Sequence, residues 1–581
     1  MQHLYDIDVQ VPMRDGVALA ANVWHPADGA APTLLVRMPY GKDVMGFGQS
    51  AIPDLLALVQ AGYAVVVQDC RGTHRSEGDF VPHMADRNDG EDTVAWIADQ
   101  PWSDGTVGMY GPSYLGMVQW ETAVTGAPAL KAIAPTFTSI DNYEAPWYSA
   151  GGALSLSLVT MWNAMMYTAD AQRSLAAGED TLSQLQQLGQ AALFPEALND
   201  VLPTAEVPVL AAYGKWWDDW MAHPSHDGYW DAMELTPELK NVTAPALNIG
   251  GWYDLYIGQT LRTYTAARRQ AGSAQAREGQ RLIVGPWDHM SASGVYPDRS
   301  FGPLASAQMM GLTALHVKFF DHWLRGDTAA LDDVAPVKIF VMGIDQWRDE
   351  QEWPLPDTQW TDFHLTSAGH ANTAGGDGVL TTEPPTGSGH DTYLYDPRRP
   401  VPSAGGASMP VTPGFCGPVD QRTVAGREDV LCFTGPVLEE PVEVTGPVSL
   451  TLFVSSSAVD TDFTAKLVDV FPDGRAINLC DGILRARYRK SLATEELMEP
   501  GTVYEITVDM TATSNVFLPG HRIRVDVSSS NFPRYDRNTN TGGVIARESE
   551  EQMIPAVNHI HHGPNHPSRL VLPVIDRKDQ Q

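Results

Sequence analysis

Short apolar segments that alternate with helix-like segments constrain the fold of this chain more than any other feature. Pro32–Tyr40 and Gly62–Gly72 are apolar runs that end in turn residues, as strands buried on both faces of a sheet do. A helix-like stretch, Asp86–Gln100, follows, and a third strand-like run, TVGMYG, comes next. This order predicts an α/β domain built on a mostly parallel sheet.

The same alternation stops and then resumes further along the chain. Strand signals are sparse between residues 142 and 240, where LSLSLVTMWNAMMYTADAQ is typical of a helix and tryptophans cluster in KWWDDWMAHP. Strand-like runs return at Ala244–Asp254 and Gln280–His289. We therefore predict one α/β domain, residues 1–141 and 241–348, interrupted by a helical insertion at 142–240.

The pattern changes class again for the last part of the chain, residues 349–581. Segments such as VSLTLFVSSS, VYEITVDM and HRIRVDVSSS alternate apolar and polar residues, and glycine and proline turns separate them. Such alternation predicts an all-β sandwich or jelly roll. A chain of 581 residues is long enough for several hydrophobic cores, so a division into three domains is expected.

The composition excludes several classes of function. A formal net charge of −33 repels phosphates, so we expect no nucleic-acid partner. No run of about 18 apolar residues predicts a membrane span, and the N-terminal MQHLYDIDVQ lacks the features of a signal peptide. The four cysteines form no CxxC pair, which is typical of buried thiols in a reducing compartment. We therefore predict a cytoplasmic protein.

The segment GMYGPSYLGM places Ser113 between a strand-like and a helix-like run. In α/β-hydrolases the nucleophilic serine lies on such a turn, and an acidic residue and a histidine follow it in that order. Here Asp254 ends the run ALNIGGWYD and His289 ends the run RLIVGPWDH. Because the carboxyl ends of parallel strands meet at one edge of a sheet, these three residues are predicted to form a catalytic triad.

Each member of this predicted triad has an alternative interpretation. Ser113 is also suited to cap a helix, and His289 also fits a core histidine whose two nitrogens are satisfied. Asp288 stands beside His289, but sequence neighbours seldom face each other across a site, which favours Asp254. The match to G-x-S-x-G is partial, because a leucine occupies the second glycine position and Gly116 comes one residue later.

Motifs along nearly the whole chain resemble one known family. GPSYLG, GGWYD and GPWDH, with VPMRDGVALAANVWHP, VRMPYGK and SSSNFPRYDRNTNTGGVIARE, are similar to the bacterial cocaine esterase family, the CocE/NonD serine hydrolases. That family is related to X-prolyl dipeptidyl aminopeptidases and α-amino-acid ester hydrolases. The resemblance implies an α/β-hydrolase domain with an inserted helical cap, followed by a jelly-roll domain. Its G-x-S-Y-x-G pattern accounts for Gly116.

The resemblance also implies roles for single residues. It makes Ser113 the nucleophile, His289 the base and Asp254 its orienting acid, with no cofactor. It implies an oxyanion hole formed by the Tyr40 hydroxyl and the backbone N–H of Tyr114. The positions that match the family's substrate pocket are Gln49, Trp147, Trp162, Tyr256 and Met409.

Two of these pocket positions depart from the family pattern. Tyr256 stands where the family has a phenylalanine, so an aromatic wall gains a hydroxyl. A Leu-Leu-Phe run is replaced by Ser408-Met409-Pro410, so a ring is lost. These changes favour a more polar acyl group and a looser pocket. Trp147 and Trp162 also fit plain core tryptophans.

We predict a serine carboxylesterase that hydrolyses small-molecule esters, cocaine-like benzoyl and other aromatic esters among them, through an acyl-enzyme. A second interpretation is an α-amino-acid ester hydrolase or β-lactam acylase, in which Asp218 and Asp219 would hold the substrate ammonium. Acidic residues at a helix start are an equally ordinary interpretation of that pair. The pattern is also compatible with an X-prolyl dipeptidyl aminopeptidase and, outside the enzymes, with a ligand-binding protein whose site is inactive.

Two further expectations concern metals and assembly. The run NHIHHGPNHP carries four histidines, a residue type that binds zinc. They are His559, His561, His562 and His566. No carboxylate or cysteine stands beside them and a serine triad needs no metal, so we predict no metal. The resemblance implies that homodimers form.

Overall fold

A ten-stranded sheet carries the first part of the chain in the computed structural model, which describes residues 2–44, 51–409 and 415–577. Its strands are His3–Pro12 (β1), Ala18–Pro26 (β2), Ala31–Met38 (β3), Ala64–Asp69 (β4), Ser103–Pro112 (β5), Leu130–Thr136 (β6), Leu247–Tyr253 (β7), Arg281–Asp288 (β8), Val337–Val341 (β9) and Gln346–Glu350 (β10). The spatial order is β1-β2-β4-β3-β5-β6-β7-β8-β9-β10. The seven strands from β4 to β9 in this order are parallel, and the outer strands are antiparallel.

The parallel centre of the sheet confirms the α/β prediction. Every residue of β3 and β4 is buried, as expected for apolar strands covered on both faces. The sequence did not predict the edge hairpin β1–β2, because β1 is largely exposed and lacks a continuous apolar run. Edge strands of this kind give a weak sequence signal, since only part of their surface is buried.

Helices accompany both the sheet and a long insertion. The α-helices are Leu55–Gln60 (α1), Asp86–Ala98 (α2), Tyr114–Ala123 (α3), Leu156–Ala176 (α4), Leu182–Leu193 (α5), Pro208–Tyr213 (α6), Trp216–Ala222 (α7), Gly228–Asp231 (α8), Ile257–Gln270 (α9), Ala274–Glu278 (α10), Ala307–Met310 (α11) and Leu312–Arg325 (α12). Helices α4 to α8 lie between β6 and β7, so the helical cap interrupts the sheet as predicted. The cap packs around buried tryptophans, among them Trp217 and Trp220.

An eleven-stranded sheet forms the last part of the chain. Its strands are Gln359–Thr366 (β11), Val379–Thr381 (β12), Gly389–Tyr395 (β13), Leu431–Thr434 (β14), Val442–Ser456 (β15), Asp462–Val470 (β16), Ala476–Arg485 (β17), Tyr504–Phe517 (β18), Arg522–Ser528 (β19), Ala556–His562 (β20) and Arg569–Ile575 (β21). Almost all of its pairs are antiparallel, which confirms the predicted all-β class. Strand β10 of the first sheet crosses the predicted boundary at 348/349, and the exact domain limits stay a prediction.

Cys70, Cys416, Cys432 and Cys480 are all free and buried. Burial raises the pKa of the Cys70 thiol well above its ordinary value. Within residues 2–44, 51–409 and 415–577, none of the helices combines the length and the apolar character needed to cross a membrane.

Candidate active site

Ser113 lies on a sharp turn between β5 and α3. Its backbone has φ 62° and ψ −127°, a conformation that costs a residue with a side chain about 1–3 kcal/mol and occurs mostly at functional sites. The Ser113 N–H donates to the carbonyls of Thr136 and Phe137 at 2.9 and 3.2 Å, which holds the turn against the end of β6. The predicted nucleophile therefore occupies the strand-to-helix turn that α/β-hydrolases use.

Two glycines make room for this turn. A Cβ on Gly111, whose φ is 136°, would lie 2.7 Å from Cβ of Leu115. A Cβ on Gly116 would lie 2.7 Å from Cβ of Thr138. Both separations are too short for real side chains, so a larger residue would push α3 off the sheet. The second glycine of the motif is Gly116, because α3 packs against the segment after β6 at this residue.

A continuous line of hydrogen bonds joins Ser113, His289 and Asp254. Nε2 of His289 lies 3.1 Å from Oγ of Ser113, and Nδ1 lies 2.6 Å from Oδ2 of Asp254. Because an ionised carboxylate only accepts hydrogen bonds, Nδ1 carries the proton and Nε2 accepts from the serine hydroxyl. Asp254 and His289 are 0% and 3% exposed, so little water competes for these bonds. This arrangement can remove a proton from Ser113 and hold the resulting imidazolium.

The two candidate acids make different contacts. Oδ1 of Asp254 accepts from the Tyr256 N–H at 2.8 Å, which orients the carboxylate toward the imidazole. Asp288 instead accepts from two backbone N–H groups of the loop after β8, both at 2.8 Å. Burial raises the pKa of Asp288. Asp288 therefore orders the loop that carries His289, and the imidazole contacts Asp254.

Two hydrogen-bond donors lie beside Ser113. Tyr114 is the first residue of α3, where a backbone N–H has no acceptor inside its own helix. Tyr40 lines the same cavity as Ser113, and its phenol oxygen accepts from Nε1 of Trp162 at 3.1 Å. Burial raises the pKa of Tyr40 to about 12, although hydrogen bonds with Trp162 and Ser113 oppose the rise. The phenol therefore keeps its proton at neutral pH and can donate it.

A cavity of about 180 Å³ opens in front of Ser113 and His289. The predicted pocket residues that line it are Trp147, Trp162, Tyr256 and Met409. The fifth, Gln49, lies outside the described residues. The rings of Trp147 and Trp162 are 4.8 Å apart between centroids, and both side chains are almost fully buried. The two tryptophans are thus core residues and cavity wall at once.

The rest of the cavity wall had no sequence signal of its own. It consists of Met117, Pro146, Leu158, Met161, Met165, Leu255 and Met290. Three of these residues, with Trp162, follow the i, i+3, i+4 spacing of one face of α4, which any packed helix shows. Methionine fills irregular space and adapts its shape. The wall is therefore apolar and deformable.

The described part of the cavity wall carries no side chain of fixed charge. None of its described residues is Asp, Glu, Lys or Arg. Asp218 and Asp219 are exposed in the first turn of α7, and neither lines the cavity. The carboxylates proposed to hold a substrate ammonium are therefore not part of this wall.

Known proteins match this chain along nearly its whole length. The family models for X-Pro dipeptidyl-peptidase (S15 family) and for the X-Pro dipeptidyl-peptidase C-terminal non-catalytic domain match residues 15–291 and 329–571. Cocaine esterase of Rhodococcus sp. (strain MB1 Bresler) is 52% identical over 98% of this chain and 98% of its own.

Two solved structures share the complete architecture. An aminopeptidase from a marine sediment Thaumarchaeota archaeon has a TM-score of 0.81 at 25% identity, covering 99% of this chain and 96% of its own. An α-amino-acid ester hydrolase has a TM-score of 0.80 at 25% identity, covering 98% and 96%. The cap and the all-β part are therefore shared along with the sheet.

α/β-Hydrolases carry out acyl transfer with a buried imidazole that lies between a serine and a carboxylate. The 52% identity to an esterase indicates that the bond cleaved is a carboxylic ester. The protein is a serine hydrolase of carboxylic esters. The same identity, extending over 98% of both chains, settles its family as well. The chain belongs to the CocE/NonD family of serine hydrolases, the cocaine esterase family.

Proposed function

We propose that Ser113, His289 and Asp254 form the catalytic triad of this esterase. Ser113 attacks the ester carbonyl while Nε2 of His289 takes its proton, and His289 then protonates the leaving alcohol. Water activated by the same imidazole cleaves the acyl-enzyme. Asp254 holds Nδ1–H and stabilises the imidazolium. The proposal is carried by the hydrogen bonds of 2.6 and 3.1 Å that run from Asp254 through His289 to Ser113.

We assign the oxyanion hole to the Tyr40 hydroxyl and the Tyr114 N–H. When Ser113 attacks, the carbonyl oxygen becomes an alkoxide, and donors already in place stabilise it without reorganisation. The raised pKa of Tyr40 supports this role, because a neutral phenol remains a donor across the neutral pH range. Its bond from Trp162 fixes the phenol oxygen before substrate arrives.

Replacing Tyr40 with phenylalanine is expected to lower kcat by about 10²–10³-fold, the usual effect of removing one oxyanion donor. KM should change much less, because the lost hydrogen bond strengthens only as charge develops on the oxygen. Steady-state kinetics on a benzoyl ester measure both constants. Tyr393→Phe removes the hydroxyl of a buried tyrosine in β13 and is the matched control. Equal kcat in the two variants would remove Tyr40 from the oxyanion hole.

The substrate class that we propose is esters with an uncharged acyl group of aromatic size, benzoyl esters such as cocaine included. The tryptophan and methionine wall supports it, as does the name of the 52% identical relative. An α-ammonium group would be buried in this wall without a counter-charge, which is costly. Tyr256 adds one hydroxyl, and burial raises its pKa well above the ordinary value, so the phenol stays a neutral donor.

Two esters that differ only in an α-amine test this substrate class. They are methyl phenylacetate and phenylglycine methyl ester, compared at a pH at which the amine is protonated. We expect kcat/KM to favour the neutral ester by about 100-fold or more, which corresponds to about 3 kcal/mol for burying an unpaired ammonium. Cocaine, assayed beside them, tests the benzoyl group directly.

The outcomes separate the substrate class from the mechanism. A preference for the amino ester would replace our class with that of the α-amino-acid ester hydrolases. Release of dipeptides from X-Pro chromogenic substrates would select the X-prolyl aminopeptidase activity. Either result leaves the triad in place, because all three activities use a serine nucleophile, and a Ser113→Ala background corrects for spontaneous hydrolysis.

We also propose a cytoplasmic location and a homodimer. Four free, buried thiols support a reducing compartment, in which no disulfide is needed. Sedimentation of the purified protein measures the assembly state, and a single monomeric species at micromolar concentration would reject the dimer.

A further inference from the structure

Four histidines cluster on the C-terminal sheet, and none of them lines the active-site cavity. His390 lies on β13, His559 and His561 lie on β20, and His566 lies in the turn after β20. The antiparallel register puts His390 directly opposite His561. His559 is two residues from His561 on the same strand and therefore shares its face of the sheet. The pairing of β13 with β20 thus brings three imidazoles together.

The distances within this cluster suit ligands of one metal ion. Ring centroids are 4.9 Å apart for His390 and His559, 5.5 Å for His390 and His561, and 6.1 Å for His559 and His561. His566 lies 5.5 Å from His561. A zinc–nitrogen bond of about 2.1 Å places the centroids of two coordinated imidazoles about 5–6 Å apart. The ring centroids therefore already lie at the separations that ligands of one ion need.

Two of these imidazoles are bonded to hydroxyl groups. Thr392 bonds Nδ1 of His559 and Ser455 bonds Nε2 of His561, both at 2.8 Å. A neutral imidazole offers a metal one nitrogen lone pair. Both bonds are to uncharged hydroxyls, which a metal ion can replace as the partner of the ring.

We propose that His390, His559 and His561 bind one borderline transition-metal ion of the Zn²⁺ type, with His566 as a fourth ligand. Imidazole nitrogen is a preferred ligand of Zn²⁺, Ni²⁺ and Cu²⁺. The ion would tie the edge strand β13 to β20 and so stabilise the C-terminal sheet, since a ligand that binds only the folded state stabilises it. Ester hydrolysis by the serine triad does not involve this ion.

Binding requires the rings to turn. Their nitrogen atoms do not converge in the present arrangement: among the described residues, donor atoms of three such side chains lie within 4.8 Å of one another only at His226, Asp231 and Glu234. Rotation of His559 and His561 releases the bonds to Thr392 and Ser455 and turns those nitrogens toward His390. His562 does not take part, because it is buried and its Nε2 lies 3.1 Å from Oγ of Ser367.

The test is a Zn²⁺ titration of the full chain, produced without a polyhistidine tag and treated with a chelator. We expect one ion per chain with a dissociation constant on the order of 10 μM, and a higher unfolding temperature in its presence. Removing one ligand with His561→Asn should weaken binding by at least about tenfold and abolish the thermal shift. Cu²⁺ added in place of Zn²⁺ should give an electron paramagnetic resonance spectrum with nitrogen hyperfine splitting.

Two controls make the assignment specific. His370→Asn changes an exposed histidine outside the cluster and should leave Zn²⁺ binding unchanged. His226→Asn removes the competing three-residue group and should also leave it unchanged. The proposal is overturned if wild-type protein shows no binding at 100 μM Zn²⁺, a concentration about tenfold above the expected constant, or if His561→Asn binds like wild type. It is equally overturned if His226→Asn alone removes the ion.

Discussion

Ser113→Ala is expected to lower kcat by about 10⁶-fold while leaving the folded structure and its stability close to those of the wild type. Without Oγ, the imidazole of His289 has no nucleophile to deprotonate and no acyl-enzyme can form. The backbone strain at φ 62° does not change, because alanine also carries a Cβ. Kinetics on a benzoyl ester measure the loss, and mass spectrometry after treatment with an activated phosphonate measures covalent labelling.

Labelling and a matched serine variant make this test decisive. Wild-type protein should gain one phosphonyl group on Ser113, and Ser113→Ala should gain none. Ser183→Ala changes an exposed serine in the cap helix α5 and should keep full activity and full labelling. If Ser113→Ala kept more than about a tenth of the activity, far above the residual rate that the remaining site supports, another nucleophile would have to be sought.

The proposed triad was accessible from the sequence because chain order and strand ends carry the information. Ser113, Asp254 and His289 each follow an apolar run, and a parallel sheet brings the carboxyl ends of such runs to one edge. The competition between Asp254 and Asp288 could be argued but not resolved at that level. It depends on which backbone N–H groups each carboxylate meets, and those contacts exist only in the folded loops.

The cavity wall was much less accessible, because its residues come from three separate parts of the chain. Met161 belongs to the cap, Leu255 to the α/β part, and Met409 to the segment between β13 and β14. Each is an apolar residue with the same local pattern as a core residue. Only the packing of the three parts against each other makes them neighbours, and sequence periodicity does not report packing over such separations.

The histidine cluster also depends on contacts between distant parts of the chain, which the sequence pattern does not report. The spacing of His559 and His561 indicates that they share a face of a strand, and His562 must point to the other face. His390 stands far before His559 in the chain, and only the strand pairing brings the two together. From the sequence run alone we predict no metal at its four histidines, whereas the structure separates His562 from the group and places His390 in it.

Asp254→Asn is expected to lower kcat by about 10⁴-fold through the tautomer of His289. Oδ1 of Asp254 accepts from the Tyr256 N–H, so the amide oxygen of an asparagine would take that position and its NH₂ group would face Nδ1 of the imidazole. Nδ1 must then accept, the ring proton moves to Nε2, and Nε2 can no longer take the proton of Ser113. Pre-steady-state kinetics measure the rate of acylation directly.

Asp288→Asn is the matched control, because it makes the same chemical change one residue from His289. Asp288 accepts two backbone N–H bonds through Oδ1, and an asparagine oxygen can accept them as well. We expect its kcat to fall by less than about tenfold, since the imidazole tautomer is unaffected. In a proton NMR spectrum, the strongly hydrogen-bonded Nδ1–H of His289 should persist in Asp288→Asn and disappear in Asp254→Asn. If Asp288→Asn lost both that signal and the activity, the orienting acid would be Asp288, and the role of Asp254 would reduce to ordering the start of α9.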